Sequence, residues 1–490
     1  MKWSRYNLLF CSTKFGHFIY NALSNAFIEL DEEHYQELER LRDGRQPASG
    51  LDNTFLTFLQ RQKILVGEGD EQAELSRRYL QRQALSLDRR HLALTICPTL
   101  GCNFRCHYCF ERTQGSGTVM SDRTMGRLIS FIREFRGADS LSITWYGGEP
   151  TLAFGVVRQI TRRVRELGIK FKDAGLITNG YLLGSRIISE LNDLNIKSVQ
   201  ITLDGPERIH DKRRVLRGGG QTFQQIMGNI ASLMDSAYEG ACSIRVNVDR
   251  DNMSAFFELR EALLEQHRGK KLVVYAGQIE SGRGQKIASS CRVCEEEWLD
   301  FALQQFRKVR SDGHGGIYPK GKMFNICSAN NAGSFVVGPR GELYKCWEDV
   351  GNQELVVGTI HADEVITNPH LVALYESGTD PYLDGDCTSC AVFPICSGGC
   401  ANKRLRTKFF GEDGAEFCSL HKKNLITLLL ESYDAFLTET LCADLLNAHN
   451  GPAHRTPYRT IRSEAGKAET GPFTSVDQFK NADESSCFIE

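Results

Sequence analysis

Seventeen cysteines in 490 residues constrain this chain more than any other feature, because ten of them fall in two clusters. Three stand together at Cys102, Cys106 and Cys109. Seven more lie at Cys327, Cys346, Cys387, Cys390, Cys396, Cys400 and Cys418, and the rest (Cys11, Cys97, Cys242, Cys291, Cys294, Cys442 and Cys487) are scattered. The opening MKWSRYNLLFCS lacks a signal-peptide pattern, and no apolar run approaches the ~18 residues of a membrane span. A cytoplasmic chain without a membrane partner is therefore expected. There, clustered cysteines point to metal or redox chemistry rather than a disulfide framework. Lys+Arg 59 against Asp+Glu 61 leaves a net charge of −2, so no basic field suggests nucleic acid. Hydrophobic residues at 41% and charged residues at 24% exclude wholesale disorder, and the length suggests about three domains.

The first 85 residues read as short strands (YNLLFC, HFIYNA, AFIEL), then a helix capped by Asp31 with Tyr35, Leu38 and Leu41 on its apolar face, then a second helix over 51–59. Strands plus two or three helices fit a winged-helix-like module. From His91 the rhythm becomes strand–helix alternation, with strands at 92–97, 141–146, 174–178, 198–203, 242–248 and 271–277. Such repetition implies parallel pairing with right-handed crossovers, hence an α/β fold with a full or partial βα barrel; six units are visible rather than eight. From Cys327 to Cys418 periodicity is weak, and metal ligation would supply folding free energy in place of a conventional core. An amphipathic helix follows in HKKNLITLLLESYDAFLTETL, and residues 447–490 read as a flexible tail.

The motifs register with the strand ends. CPTLGCNFRCHYCFE follows the first strand, GGEP (147–150) the second, TNG (178–180) the third and LDG (203–205) the fourth. The carboxyl ends of strands carry the active site in βα barrels, so four motifs converge on one rim. Three thiolates spaced C-x3-C-x2-C can hold three irons of a cubane and leave the fourth open. The spacing alone also admits a structural zinc loop, although closed zinc sites use four ligands.

GCNFRCHYCFE resembles the signature of the radical S-adenosylmethionine (radical SAM) superfamily. The resemblance implies a partial (β/α)6 TIM-like barrel over residues 86–310, with a [4Fe-4S] cluster on Cys102, Cys106 and Cys109 that binds SAM at its open iron. It further implies contacts to SAM from Gly147, Gly148 and Glu149 at the methionine amino group. Asn179 and Thr202 would meet ribose or carboxylate oxygens, Arg214 the carboxylate, and Tyr108 the adenine. Cys97 reads as a buried strand residue. The organic chemistry in such an enzyme belongs to the cofactor, while the protein orients and shields.

The later cysteines resemble the SPASM domain, a seven-cysteine module that holds two auxiliary [4Fe-4S] clusters. By that resemblance, residues 311–446 form the Fe–S-rich domain. Cys387, Cys390, Cys396 and Cys418 would hold the outer cluster, and Cys327, Cys346 and Cys400 an inner one with a free position. Cys291 and Cys294 form a CxxC that starts a helical pattern, which reads as a reduced structural pair rather than a ligand site.

Two branches of the family are weighed. Sulfatase maturases, which make formylglycine, carry an Asp after the cysteine matching Cys346, a Gln before GGEP and an extra Cys after the first SPASM cysteine. Here those places hold Trp347, Tyr146 and the run SANNAGS. Residues 1–85 instead resemble the strand-rich recognition element of peptide maturases, which captures a precursor by strand addition; a lid that only buttresses the barrel stays open as an alternative. The resemblance thus implies a maturase that oxidises a ribosomally made precursor peptide to a thioether or carbon–carbon crosslink, fed by a flavodoxin- or ferredoxin-type donor. Formylglycine formation and a non-catalytic iron–sulfur electron carrier are the alternatives. Glu348, Asp349 and Tyr344 are acid/base candidates by proximity only.

Overall fold

The computed structural model describes residues 1–109, 117–135, 137–279, 293–309, 316–321, 324, 326–412, 416–446 and 458–462. Strands β1 (Lys2–Trp3), β2 (Asn7–Ser12), β3 (Gly16–Asn21) and β4 (Ala26–Leu30) lead into helices α1 (Glu32–Arg42) and α2 (Asn53–Arg61). Asp31 caps α1 as expected, its carboxylate accepting the His34 N–H at 2.9 Å. Then come β5 (Leu65–Val66), which pairs with β1, and α3 (Asp70–Ser86).

Period-two alternation gives the β2–β3–β4 meander two apolar faces. Ile19, Ile28 and Leu30 pack on Leu38 of α1 and on Phe55 and Leu59 of α2. Phe18, Tyr20 and Phe27 face the other way, into a cluster with Phe393, Leu429 and Tyr433 from the C-terminal part of the chain. Helix α3 clamps the same junction: Arg78 donates to the carbonyls of Leu23 at 2.7 Å and Pro394 at 2.9 Å.

The parallel strands of the central sheet are β6 (His91–Ile96), β7 (Ser140–Trp145), β8 (Lys170–Thr178), β9 (Ile196–Leu203), β10 (Ala241–Val248) and β11 (Leu272–Gln278). Helices α4 (Asp122–Glu134), α5 (Phe154–Arg165), α6 (Ser185–Ile188), α7 (Glu207–Arg213), α8 (Phe223–Asp235) and α9 (Phe256–Gln266) connect them, and α10 (Glu295–Val309) follows. All six strands are parallel and in sequence order, so the expected α/β architecture with a parallel central sheet is present. Outward positions such as Ile143, Leu176, Ile201 and Ile244 are apolar and buried under the helices. Inward positions carry Thr144, Gln200, Thr202, Arg245 and Asn247.

The sheet continues past β6. β12 (Ser334–Val337) pairs parallel to β6, with Ser334 opposite Ala93 and Val337 opposite Ile96. The antiparallel strands β13 (Glu342–Tyr344) and β14 (Gly358–Thr359) extend it to nine strands. The cysteine-rich segment therefore begins within the central sheet. Its remainder is short helices, α11 (Pro369–Ala373), α12 (Gly385–Thr388), α13 (Phe393–Cys396) and α14 (Ala401–Phe410), followed by the long α15 (His421–Leu446). The stretch read as a flexible tail contributes β15 (Tyr458–Arg462), antiparallel to β4. No described helix is long and apolar enough to cross a membrane.

Candidate functional site

The loop after β6 carries Cys102, Cys106 and Cys109, and the turn after β7 holds it in place. Gly147 has φ +109°, and a Cβ there would strike the Thr99 carbonyl; a Cβ on Gly148 would strike those of Leu100 and Gly101. Glycine is what permits this approach. The Gly148 N–H donates to Thr99 O at 3.2 Å and the Glu149 N–H to Gly101 O at 2.9 Å, fixing the loop just before Cys102.

Glu149 is fully buried. Its carboxylate accepts from Thr151 N at 3.0 Å, Thr178 Oγ1 at 2.7 Å and Asn179 N at 2.7 Å, as well as from the Thr151 hydroxyl. Burial raises its pKa despite these donors. Glu149 therefore ties the end of β8 to the turn after β7. Asn179, so oriented, donates to Asn103 Oδ1 at 2.7 Å and lies 3.9 Å from Cys102 Sγ.

Opposite stands a buried polar network. The Tyr108 hydroxyl donates to Asp204 Oδ1 at 2.8 Å and accepts from Arg214 Nη1 at 2.7 Å and Asn247 Nδ2 at 3.2 Å. Arg213 donates to Asp204 at 3.1 Å and to Asp249 at 2.8 Å. Burial pushes the Tyr108 pKa up, and raises that of Asp204 despite both arginines. His210 beneath is driven down to about 2 by burial and by Arg214, so it is neutral. Two donors in this region, Arg214 Nε and Asn103 Nδ2, are buried without a hydrogen-bond partner among the described residues. Such orphans are costly and mark where an acceptor belongs.

The structure thus brings Gly147, Gly148, Glu149, Asn179, Tyr108 and Arg214 to the cysteine loop. Thr202 is buried on the inward side of β9 opposite Arg245, and no hydrogen bond described here joins it to that network. Cys97 is buried, its Cβ close beneath Gly147. Asp204, Arg213, Asn247 and Asp249 were not singled out from sequence. The available signal was the period-two polar run Gln200, Thr202, Asp204 along one apolar strand.

The described cysteines are thiols rather than disulfides, and they gather in neighbourhoods. Burial pushes Cys102 up to about 12, opposed by the Phe104 N–H and reinforced by Glu149 and Cys106. Cys346 is raised well above its ordinary range by burial, with Asp349, Glu348, Cys400 and Cys327 near enough to add to the effect. Burial likewise lifts Cys400 to about 11, with Cys327 again a neighbour. Cys387 is raised by burial and feels Cys396. Lys422 donates to Cys418 Sγ at 3.4 Å and feels Cys390 and Cys387. Cys346 thus has Cys327 and Cys400 as neighbours, Cys387 has Cys396, and Lys422 lies beside Cys418, Cys390 and Cys387. Gly399 presses the two strands of chain together: with φ +70°, a Cβ there would collide with the carbonyl of Phe417, next to Cys418. Among the described residues no three His, Cys, Asp or Glu side chains close around a single-ion site. A cubane places each thiolate on a different iron, so its ligands stand farther apart than those of one ion.

Trp347, after Cys346, packs at a tilt on Tyr146, before GGEP, with ring centroids 5.9 Å apart. Cys346 is thereby linked to the turn that holds the first cysteine loop. Of the acid/base candidates, Asp349 accepts from Asn402 at 2.9 Å and from Tyr375, Tyr344 accepts the Gly351 N–H at 3.2 Å, and Glu348 is exposed. Cys291 lies outside the described residues, and Cys294 is exposed just before α10.

Residues 96–263 match the Radical SAM superfamily. The chain is similar to the serine-type anaerobic sulfatase-maturating enzyme of Bacteroides thetaiotaomicron, 23% identical over 64% of this chain and 84% of that one. It is also similar to the mycofactocin maturase MftC of Mycolicibacterium smegmatis, 25% identical over 65% of this chain and 79% of that one. A solved structure described as native anSMEcpe with bound AdoMet shares the fold: TM-score 0.57, 19% identity, covering 71% of this chain and 98% of that one.

Proposed function

From the premise that this chain is a radical SAM enzyme, its domain spanning residues 96–263, we propose that it oxidatively modifies a ribosomally made precursor peptide, forming a thioether or carbon–carbon crosslink. The observation that carries this reading is the contact of Trp347, next to Cys346, with Tyr146, next to GGEP, which links the cysteine-rich segment to the turn that holds the first cysteine loop; Cys327 and Cys400 as neighbours of Cys346 support it. Cys102, Cys106 and Cys109 would hold the SAM-binding [4Fe-4S] cluster, Cys387, Cys390, Cys396 and Cys418 a closed auxiliary cluster, and Cys327, Cys346 and Cys400 one with a free position. When bound, these groups supply one-electron cleavage of SAM to methionine and a 5′-deoxyadenosyl radical, and a sink for the electron released as the product forms.

The residues around the cysteine loop suit that ligand. Orphaned Arg214 Nε and Asn103 Nδ2 offer donors to a carboxylate, and Gly147 and Gly148 let backbone carbonyls approach an ammonium. Tyr108 is held by Asp204, Arg214 and Asn247, so its ring is fixed before any ligand arrives. Residues 1–85 would recognise the precursor by strand addition, and a flavodoxin- or ferredoxin-type protein would supply the electron.

Formylglycine formation is the second reading, favoured by the likeness to a sulfatase-maturating enzyme. The Tyr146–Trp347 contact opposes it, since aromatic side chains fill both positions where the resemblance calls for polar ones. The test is anaerobic reaction with SAM and dithionite, then mass spectrometry of a small peptide encoded beside the gene. Formation of 5′-deoxyadenosine with loss of two hydrogens from the peptide is expected. Intact SAM would reject the enzyme reading in favour of an electron carrier, and formylglycine on a sulfatase peptide would favour the second reading.

A further inference from the structure

The meander of the N-terminal module does not end at β4. Its outer edge is taken by β15, which arrives from the far end of the chain: Tyr458 lies opposite Leu30, Arg459 opposite Glu29 and Thr460 opposite Ile28, and after a register shift Arg462 lies opposite Phe27. Ile461 turns inward, half-buried against the cluster that contains Phe18, Phe27 and Tyr433, while Thr460 is exposed. The attachment therefore consists of main-chain pairing along one short strand plus one apolar anchor. That is the chemistry by which a sheet edge takes an extended peptide with little sequence demand.

A five-residue strand held this way is weakly bound. Ordering five residues costs free energy of the same size as the net gain from the ladder hydrogen bonds, and one partly buried isoleucine adds little more. Tethering supplies the rest, because a segment on the same chain meets the edge at an effective concentration that a free peptide must exceed. β4 cannot pair with a second strand on that side while β15 is in place.

We propose that β15 is a displaceable occupant of the β4 edge, so that the chain's own tail and an extended peptide compete for one strand-docking slot. The partner this slot fits is a peptide segment in β conformation with an apolar residue at the position of Ile461. The proposal rests on reading residues 1–85 as the recognition module. It adds that substrate engagement requires release of the tail.

The test uses a fluorescein-labelled peptide with the sequence of residues 455–465, titrated by fluorescence anisotropy against the full chain, against full-length Ile461→Asp, and against the chain ended after residue 446. Ile461→Asp keeps the tail but removes its anchor. We expect the peptide to bind Ile461→Asp and the shortened chain at least about tenfold more tightly than the full chain. Amide exchange in β4 should be slowest in the full chain and faster in both variants. Equal affinity for all three proteins, or no binding to Ile461→Asp with unchanged β4 exchange, overturns the proposal. Deoxyadenosine formation in the same samples separates the two claims. SAM cleavage without peptide competition removes the slot, whereas competition without SAM cleavage removes the maturase reading and keeps the slot.

Discussion

The parallel sheet and the cysteine-rich segment beside it bury their chains by different means. Between His91 and Gln278, six parallel strands present branched apolar residues outward to covering helices, and register alone decides which side chains are hidden. Between Cys327 and Cys418, regular structure after β14 is a series of short helices, and much of what is buried is polar. Arg404 is the clearest case: its guanidinium donates to Thr379 O at 3.0 Å, Gly398 O at 3.3 Å and Cys387 Sγ at 3.2 Å, and pairs with Asp384. Lys345, equally buried, donates to Asn331 O at 2.6 Å, Ser334 O at 3.0 Å and Glu376 at 3.0 Å. The sheet is held by what it excludes from water, and the cysteine-rich segment by directed bonds that each need their partner. Loss of one partner should therefore spread farther in the second region.

The sharpest way to break this contrast is at the thiols. Cys102→Ala should abolish 5′-deoxyadenosine formation while leaving the parallel sheet folded. Cys400→Ala should retain some SAM cleavage and lose peptide product. Iron analysis and product chromatography on both variants check this, and full product from Cys400→Ala would contradict an auxiliary role. Next in size, Arg404→Ala removes the donor to Thr379 O, Gly398 O and Cys387 Sγ, while Asp384 keeps Lys408, and should cost about 1–3 kcal/mol. Hydrogen exchange should show the loss in α12–α14, with β7–β10 still protected; uniform loss would mean that the two regions share one mode of stabilisation. Gly148→Ala drives a methyl into the carbonyls of Leu100 and Gly101. It should lower SAM cleavage by about a hundredfold through misplacement of the cysteine loop, read as the rate of 5′-deoxyadenosine formation.

The smallest effect concerns acid. Burial would raise Glu74, but hydrogen bonds from Arg77 and Arg78, with Lys63 nearby, hold it down to about 2. A folded-state pKa below the ordinary 4.5 means stability that is fully present above about 4.5 and is lost as pH falls toward 2. Because Arg78 bridges the N-terminal module to Pro394, the wild type should lose more of its thermal midpoint between pH 5 and pH 3 than Glu74→Gln. Equal losses would remove Glu74 from that clamp.

Where one periodicity governed a segment, its fold was legible before any coordinates. SVQITL becomes part of β9, and Asp31 caps α1. The convergence of GGEP and TNG on the cysteine loop was legible because each follows a strand. What escaped depends on partners distant in sequence. SFVV is too short to announce that it will pair with β6, and YRTIR sits in a polar tail whose composition conceals a strand that pairs with β4. The linkage of Tyr108, Asp204, Arg213 and Asp249 escaped because its members come from the cysteine loop, the end of β9, α7 and the end of β10, and local sequence does not show that they bond to one another.

The pairing of β12 with β6 sets a limit on dissection. The Ala93 N–H donates to Gly333 O and the Cys97 N–H to Val337 O, each at 2.9 Å, so the strand that launches the cysteine loop borrows its outer neighbour from beyond residue 310. A gene fragment that stops there would be left with a raw, largely apolar border of unsatisfied amides. Recombinant halves of this protein should accordingly precipitate border to border.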